Sequence, residues 1–178
     1  SLKVLRREAL FCACAALLGI SPAPGRLTAQ LLGPEFQVNS YTPSGQVRPA
    51  VAVDAAGNFV VVWSDYAQES PLDHGIFGQG FDPAGGPLGT EFHVNSFTIS
   101  HQQYPAVAAS GTNNFLVVWD SAGQDGSARG IFGRRFTAGG LPAGSEFMVN
   151  TYTTGYQLVP AVATDSNGFF VVVWNGAG

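Results

Sequence analysis

Residues 91–119 read EFHVNSFTISHQQYPAVAASGTNNFLVVW, and the same pattern is written three times along the chain. Glu35-Phe36, Glu91-Phe92 and Glu146-Phe147 open the copies. Pro49, Pro105 and Pro160 begin a P-A-V-A block, and Trp63, Trp119 and Trp174 close a V-V-W block. The spacings agree: 91 − 35 and 119 − 63 give 56, and 146 − 91 and 174 − 119 give 55. A period of this length marks one supersecondary unit stacked on copies of itself. The units run over about 35–90, 91–145 and 146–178, the last incomplete.

Each unit reads as four strands. Pro49–Asp54 and Phe59–Trp63 flank a short Ala-Ala-Gly-Asn turn, which predicts a hairpin with a bulge. Phe59–Trp63, Phe115–Trp119 and Phe169–Trp174 are apolar at successive positions, so both faces must be covered. Gly75–Asp82 and its repeat Gly130–Thr137 place Phe77 with Phe81, and Phe132 with Phe136, on one face. In Glu91–Asn95, Phe92 and Val94 alternate with His93 and Asn95, the pattern of a half-exposed strand. A small-residue strand, a two-sided apolar strand and strands with one wet face are the demands of a β-propeller blade. The predicted fold class is all-β, with repeated four-stranded antiparallel units as partial propeller blades; a β-sandwich or a string of β-repeats is the alternative. An outer strand at Glu35–Asn39 and half of a third blade predict a longer natural protein or a fragment.

The N-terminus is a different kind of sequence. Lys3, Arg6 and Arg7 precede the apolar run Ala9–Ile20, and small and Pro-rich residues follow to Ala29. That order predicts a secretory signal peptide over 1–29, cleaved after Ala29, ahead of a β-repeat region over 30–178. The apolar run is shorter than the ~20 residues a membrane span needs. Both cysteines, Cys12 and Cys14, fall in this leader, so the remainder has no disulfide framework and no Cys-based metal site. Beyond Ala29 there are four arginines (Arg48, Arg129, Arg134, Arg135), no lysine and eleven carboxylates, and four minus eleven is minus seven. Such a surface repels phosphate backbones, which argues against nucleic acid as a partner.

The string G-I-F-G-x-x-F, E-F-x-V-N-[ST]-[YF]-T, Q-x-x-P-A-V-A and F-x-V-V-W resembles the roughly 55-residue repeat of large secreted bacterial proteins, which often also carry calcium-binding RTX nonapeptides. The resemblance spans nearly everything from Gly33 onward. It implies an extracellular repeat protein and names no activity; no RTX nonapeptide is present here.

Residues recurring in every copy read first as framework. Asn39, Asn95 and Asn150 are each followed seven residues later by Gln46, Gln102 and Gln157. A buried amide can satisfy loop backbone where units meet. The alternative reading has the three glutamines ringing a channel mouth as ligand contacts. The loops after each Trp differ in length and residues, Ser64–His74 against Asp120–Arg129, and variable loops on a rigid scaffold are where specificity sits. Asp120 and Asp125 lack the D-x-[DN]-x-[DN]-G spacing of a calcium loop, so no metal is expected. His74, His93 and His101 form no zinc pair, and no G-x-S-x-G elbow nominates a nucleophile. Glu35, Glu91 and Glu146 lie on different units and make a poor glycosidase pair. The sequence predicts a secreted or cell-surface, non-enzymatic binding or adhesion module without cofactor. Its partner would be an extracellular protein or glycan, and the repeat fragment is expected to self-associate through its unfinished unit. The alternative is a fragment of a carbohydrate-active propeller enzyme.

Overall fold

The computed structural model describes residues 2–4, 7–8, 30–31 and 35–177, which form strands and turns with no helix. The apolar run Ala9–Ile20, both cysteines and the expected cleavage point after Ala29, on which the signal-peptide expectation rests, lie outside the described residues. Two pairs of short strands come first: β1 (Lys3–Val4), β2 (Arg7–Glu8), β3 (Gln30–Leu31) and β4 (Phe36–Gln37), with β1 on β4 and β2 on β3, both antiparallel.

The first full unit is an antiparallel sheet in chain order, β5 (Gln46–Val53), β6 (Phe59–Ser70), β7 (Asp73–Phe81) and β8 (Pro87–His93). The second repeats it with β9 (Gln102–Ala109), β10 (Phe115–Ala122), β11 (Arg129–Phe136) and the short β12 (Phe147–Met148). The third is the hairpin β13 (Tyr156–Thr164) and β14 (Phe170–Ala177), joined to β11 by one parallel pairing, Arg129 with Tyr156. The all-β class and the four-stranded antiparallel unit are therefore present; the described residues close no barrel or ring.

Local chemistry sets these elements. The turn after β5 is held by Asp54, whose Oδ1 accepts the N–H groups of Ala56 (2.8 Å) and Asn58 (2.9 Å). Asp165 does the same for Asn167 and Phe169, each at 2.9 Å. Such side-chain acceptors mimic a backbone turn. At the other end of each hairpin the ladder breaks at the residue before proline. Arg48, Tyr104 and Val159 have φ of 54°, 52° and 52°, and the register shifts there in all three hairpins. Proline cannot donate to a ladder, so it is taken up in a bulge. A positive φ at a non-glycine residue costs about 1–3 kcal/mol and persists only where surroundings over-determine it.

The two-sided middle strand explains how units stack. Phe59, Val61 and Trp63 join Val38, Phe77 and Phe81 in one core. Val60 and Val62, on the opposite face of the same strand, pack with Ile76 and Val94 against Phe115, Val117 and Trp119 of the second unit. Trp63 and Trp119 are both fully buried. The contact is close: a Cβ on Gly80 would lie 1.6 Å from the Ala138 carbonyl oxygen of the next unit. In the third unit the equivalent strand is open, with Val171 67 % and Val173 60 % exposed. One expectation needs correcting. Asn95 does not face water: it is buried, because its side chain satisfies backbone groups.

Candidate functional site

The antiparallel course of each unit brings the start of its first strand, the end of its second and the start of its third to one end. Two kinds of polar residue gather there, one recurring in every unit and one not.

The recurring set is a clamp. Oδ1 of Asn39, Asn95 and Asn150 accepts the backbone N–H of Leu2 (2.8 Å), Ile76 (2.7 Å) and Ile131 (2.6 Å). Each Nδ2 donates to the carbonyl two residues on, at Tyr41, Phe97 and Tyr152. The same amides reach Oε1 of Gln46 (3.2 Å), Gln102 (3.4 Å) and Gln157 (3.5 Å). Gln102 and Gln157 are buried, and their Nε2 atoms donate to the Ile99 and Thr154 carbonyls, each at 3.0 Å. Gln46 is half-buried and donates to Ser44 O (3.1 Å) and Asp65 Oδ2 (2.9 Å). These glutamines spend their donors and acceptors on the fold.

A second recurring element latches neighbouring units. Glu91 Oε2 accepts from the N–H (2.7 Å) and hydroxyl (2.9 Å) of Ser40, and Glu146 Oε2 does the same for Ser96 at 2.7 and 2.9 Å. Their other oxygens take Gln68 Nε2 (2.7 Å) and Gln124 Nε2. Gln68 and Gln124 lie in the stretches expected as unrelated loops, Ser64–His74 and Asp120–Arg129; the first is mostly strand, since β6 runs to Ser70 and β7 starts at Asp73. The backbone there is nevertheless shared: Ala67 has φ 74° and Gly123 has φ 75°. Glu69 and Asp125 also place a carboxylate over the same glycine, Gly75 and Gly130. The loops thus differ in side chains and not in path at these positions.

The non-recurring set forms one cluster across the seam between the first two units. The Arg48 guanidinium lies over the Tyr104 ring, 3.9 Å from its centroid, and its Nη2 donates to the Tyr104 hydroxyl at 3.2 Å. Tyr66 meets His74 edge-on at 3.9 Å, and His74 lies 4.6 Å from His101. The Gln103 amide hydrogen-bonds His74 Nδ1, and Asp73 Oδ1 is 3.9 Å from His101 Nδ1. Arg129 pairs with the fully buried Asp120, whose Oδ2 also accepts the N–H of Val159 at 3.2 Å. Sequence reasoning found no zinc pair among the three histidines and did not assemble this cluster. Its members become neighbours only once units stack.

Charge in the cluster is set by burial and by neighbours. Burial, followed by the fields of His101, Arg48 and Arg129, lowers His74 from 6.5 to about 4, so it is neutral at pH 7. Burial raises Asp120, against the pull of Arg129. Burial likewise raises Asp65, opposed by hydrogen bonds from Gln46 and Gln68. Among the described residues Arg48 has no carboxylate within 4 Å, and one of its buried terminal nitrogens has no hydrogen-bond partner. The face therefore offers a guanidinium, two tyrosines and neutral imidazole. His93 Nε2 lies 3.3 Å from Glu69 Oε2. Asp120 spends both oxygens on Arg129 and Val159, and the described residues hold no cluster of three acidic, His or Cys side chains fit for a metal. No protein-family description and no curated protein matches the chain.

Proposed function

We propose that the chain is an exported, non-enzymatic binding module whose units are propeller blades, and that it holds an extracellular glycan or protein at the seam around Arg48, Tyr66, His74 and Tyr104. One observation carries the reading: the backbone at these positions recurs from unit to unit while the side chains do not. Arg48, Tyr104 and Val159 occupy the same bulge with nearly the same φ, and His74 and Arg129 stand directly before the equivalent Gly75 and Gly130 near the starts of β7 and β11. A scaffold that repeats its frame and varies its display is how binding surfaces are built on rigid folds. Arg with tyrosine is also the composition of interaction hot spots.

Export rests on the charged, apolar and small-residue order of residues 1–29. It supports the resemblance to secreted bacterial repeat proteins and a place outside the cell. Recovery of the chain outside cells with Gln30 as its first residue is the expected result; a chain retained inside with residues 1–29 attached would sink the export reading. For binding, a glycan array and a hydrolysis screen belong together. Binding without turnover, lost in Arg48→Ala, is expected. Turnover of an arrayed glycan would overturn the non-enzymatic reading in favour of a carbohydrate-active enzyme.

A further inference from the structure

We propose that the seam between the first two units takes a glycan by its carboxylate, a uronic-acid sugar whose acid group meets the Arg48 guanidinium. The inference rests on the binding reading of the same seam, and goes beyond it by naming the chemistry of the ligand.

Charge singles out this place. Beyond Ala29 the chain has four arginines against eleven carboxylates. Two of those arginines, Arg48 and Arg129, nevertheless act together with His101 on His74. Arg129 is spent on the buried Asp120. Arg48 is not spent: among the described residues it makes no ion pair, and its Nη1 is buried without a hydrogen bond. Its company is the Tyr104 ring, 3.9 Å from the guanidinium carbon, and the Tyr104 hydroxyl. A cation partly withdrawn from water against an aromatic face attracts an anion more strongly than one in free solution, because less water screens it. The surroundings do not cancel that field. Of the charges acting on His74 the positive ones come first, and Asp73, which acts the other way, is the weakest.

The hydrogen-bonding groups have the matching sense. Arg48 Nη2 donates to the Tyr104 hydroxyl, so that hydroxyl keeps its own proton to give. Gln103 Nε2 faces His74 Nδ1. An amide nitrogen only donates, so the neutral ring accepts there and carries its proton on Nε2. Guanidinium, phenol and imidazole N–H are all donors. A carboxylate is all acceptor, and its two coplanar oxygens fit the guanidinium fork.

Scale and shape favour a sugar as the bearer of that group. The unrepeated side chains here are Arg48, Tyr66, His74, His101, Gln103 and Tyr104, far fewer than the ~20–30 residues a side of a stable protein interface. Tyr66 and Tyr104 are half-buried, each an apolar ring with a polar tip, which suits a sugar's C–H faces and hydroxyl rim. A polyphosphate would set its further charges against the acidic remainder of the chain, whereas a single carboxylate does not.

The test is an NMR titration of the isotope-labelled 178-residue chain with three probes. The first is a trisaccharide ending in glucuronic acid. The second is the same trisaccharide ending in glucose, which differs only in having a hydroxymethyl group for the carboxylate. The third is a tripeptide with one glutamate. The glucuronide is expected to shift the signals of Arg48, His74 and Tyr104 and to bind at least about tenfold more tightly than either other probe, as loss of a charge-assisted hydrogen bond implies. Arg48→Gln, with an unchanged melting curve, is expected to remove that preference. The comparison of probes on the unaltered chain decides the matter even if Arg48→Gln misfolds. Equal binding of the glucuronide and the glucoside overturns the proposal, as does equal binding of the glutamate peptide, or no binding of the glucuronide at all. A neutral glycan that shifts the same signals would sink the carboxylate while leaving the seam as the binding surface. Glucuronide binding that shifts none of these signals would sink the seam itself.

Discussion

Trp119→Ala removes the largest side chain from the core shared by the first two units. Trp119 is fully buried and packs with Val62, Ile76, Val94 and Phe132. Truncating a buried aromatic to alanine costs about 3–5 kcal/mol, against a total of about 5–15 kcal/mol for a domain. At about 2–4 °C per kcal/mol for a chain of this size, the melting temperature should fall by roughly 6–20 °C. Two further substitutions separate packing from hydrogen bonding. The indole N–H of Trp119 is buried and has no partner, so Trp119→Phe should cost much less than Trp119→Ala. Trp174, in the same place on the third unit, is 38 % exposed, so Trp174→Ala should cost less as well. The assay is thermal and urea unfolding of all three variants beside the parent chain. A loss in Trp174→Ala equal to that in Trp119→Ala would refute the stacking argument, as would an unchanged melting curve in Trp119→Ala.

Gln102→Ala should lower stability by about 1–3 kcal/mol in urea unfolding, because it removes one acceptor of the buried Asn95 amide and the donor to the Ile99 carbonyl; no change would mean that the clamp does not matter. His74 has a folded pKa near 4, below its ordinary 6.5, so the unfolded chain binds the extra proton between those values. Stability should therefore fall as pH drops from about 6.5 towards 4, and the slope should flatten in His74→Gln; equal slopes in parent and variant would contradict the burial of His74. Burial raises Asp65 and Asp120, which works in the opposite sense just above their ordinary pKa, so the comparison of slopes between variants is the readout. Millimolar calcium against chelator should leave the melting curve unmoved, since Asp120 is committed to Arg129 and Val159. A rise of several degrees, lost in Asp125→Ala, would place an ion in that loop.

The unit was legible in the sequence because its signals are local and repeated. Apolar runs ending at Trp63, Trp119 and Trp174, Gly-bearing turns and the paired phenylalanines each follow from strand alternation within a few residues. The buried Asn–Gln clamp was legible as an amide pair at constant spacing, although the alternation rule wrongly turned Asn95 to water. Two features escaped. The loops after each Trp looked unrelated because one is a residue longer and because Ser64-Asp65 stands where the other has Asp120-Ser121. A shared positive φ at Ala67 and Gly123 leaves no mark in composition when one of them is alanine. The Arg48, His74, His101 and Tyr104 cluster escaped because its members come from different units. Only the stacking of β5 against β9, set by the cores on either side of β6, brings Arg48 over Tyr104.

A repeated frame holds the fold, and the proposed binding surface is the unrepeated seam between the first two units. The most direct measurement takes Gln102→Ala, Arg48→Ala and Tyr104→Phe through melting and glycan-array binding in parallel. The account predicts that the Arg48 and Tyr104 variants lose binding with little change in melting, while Gln102→Ala loses stability and retains binding wherever it stays folded. Arg48→Ala that melts as early as Gln102→Ala while binding as the parent does would contradict it.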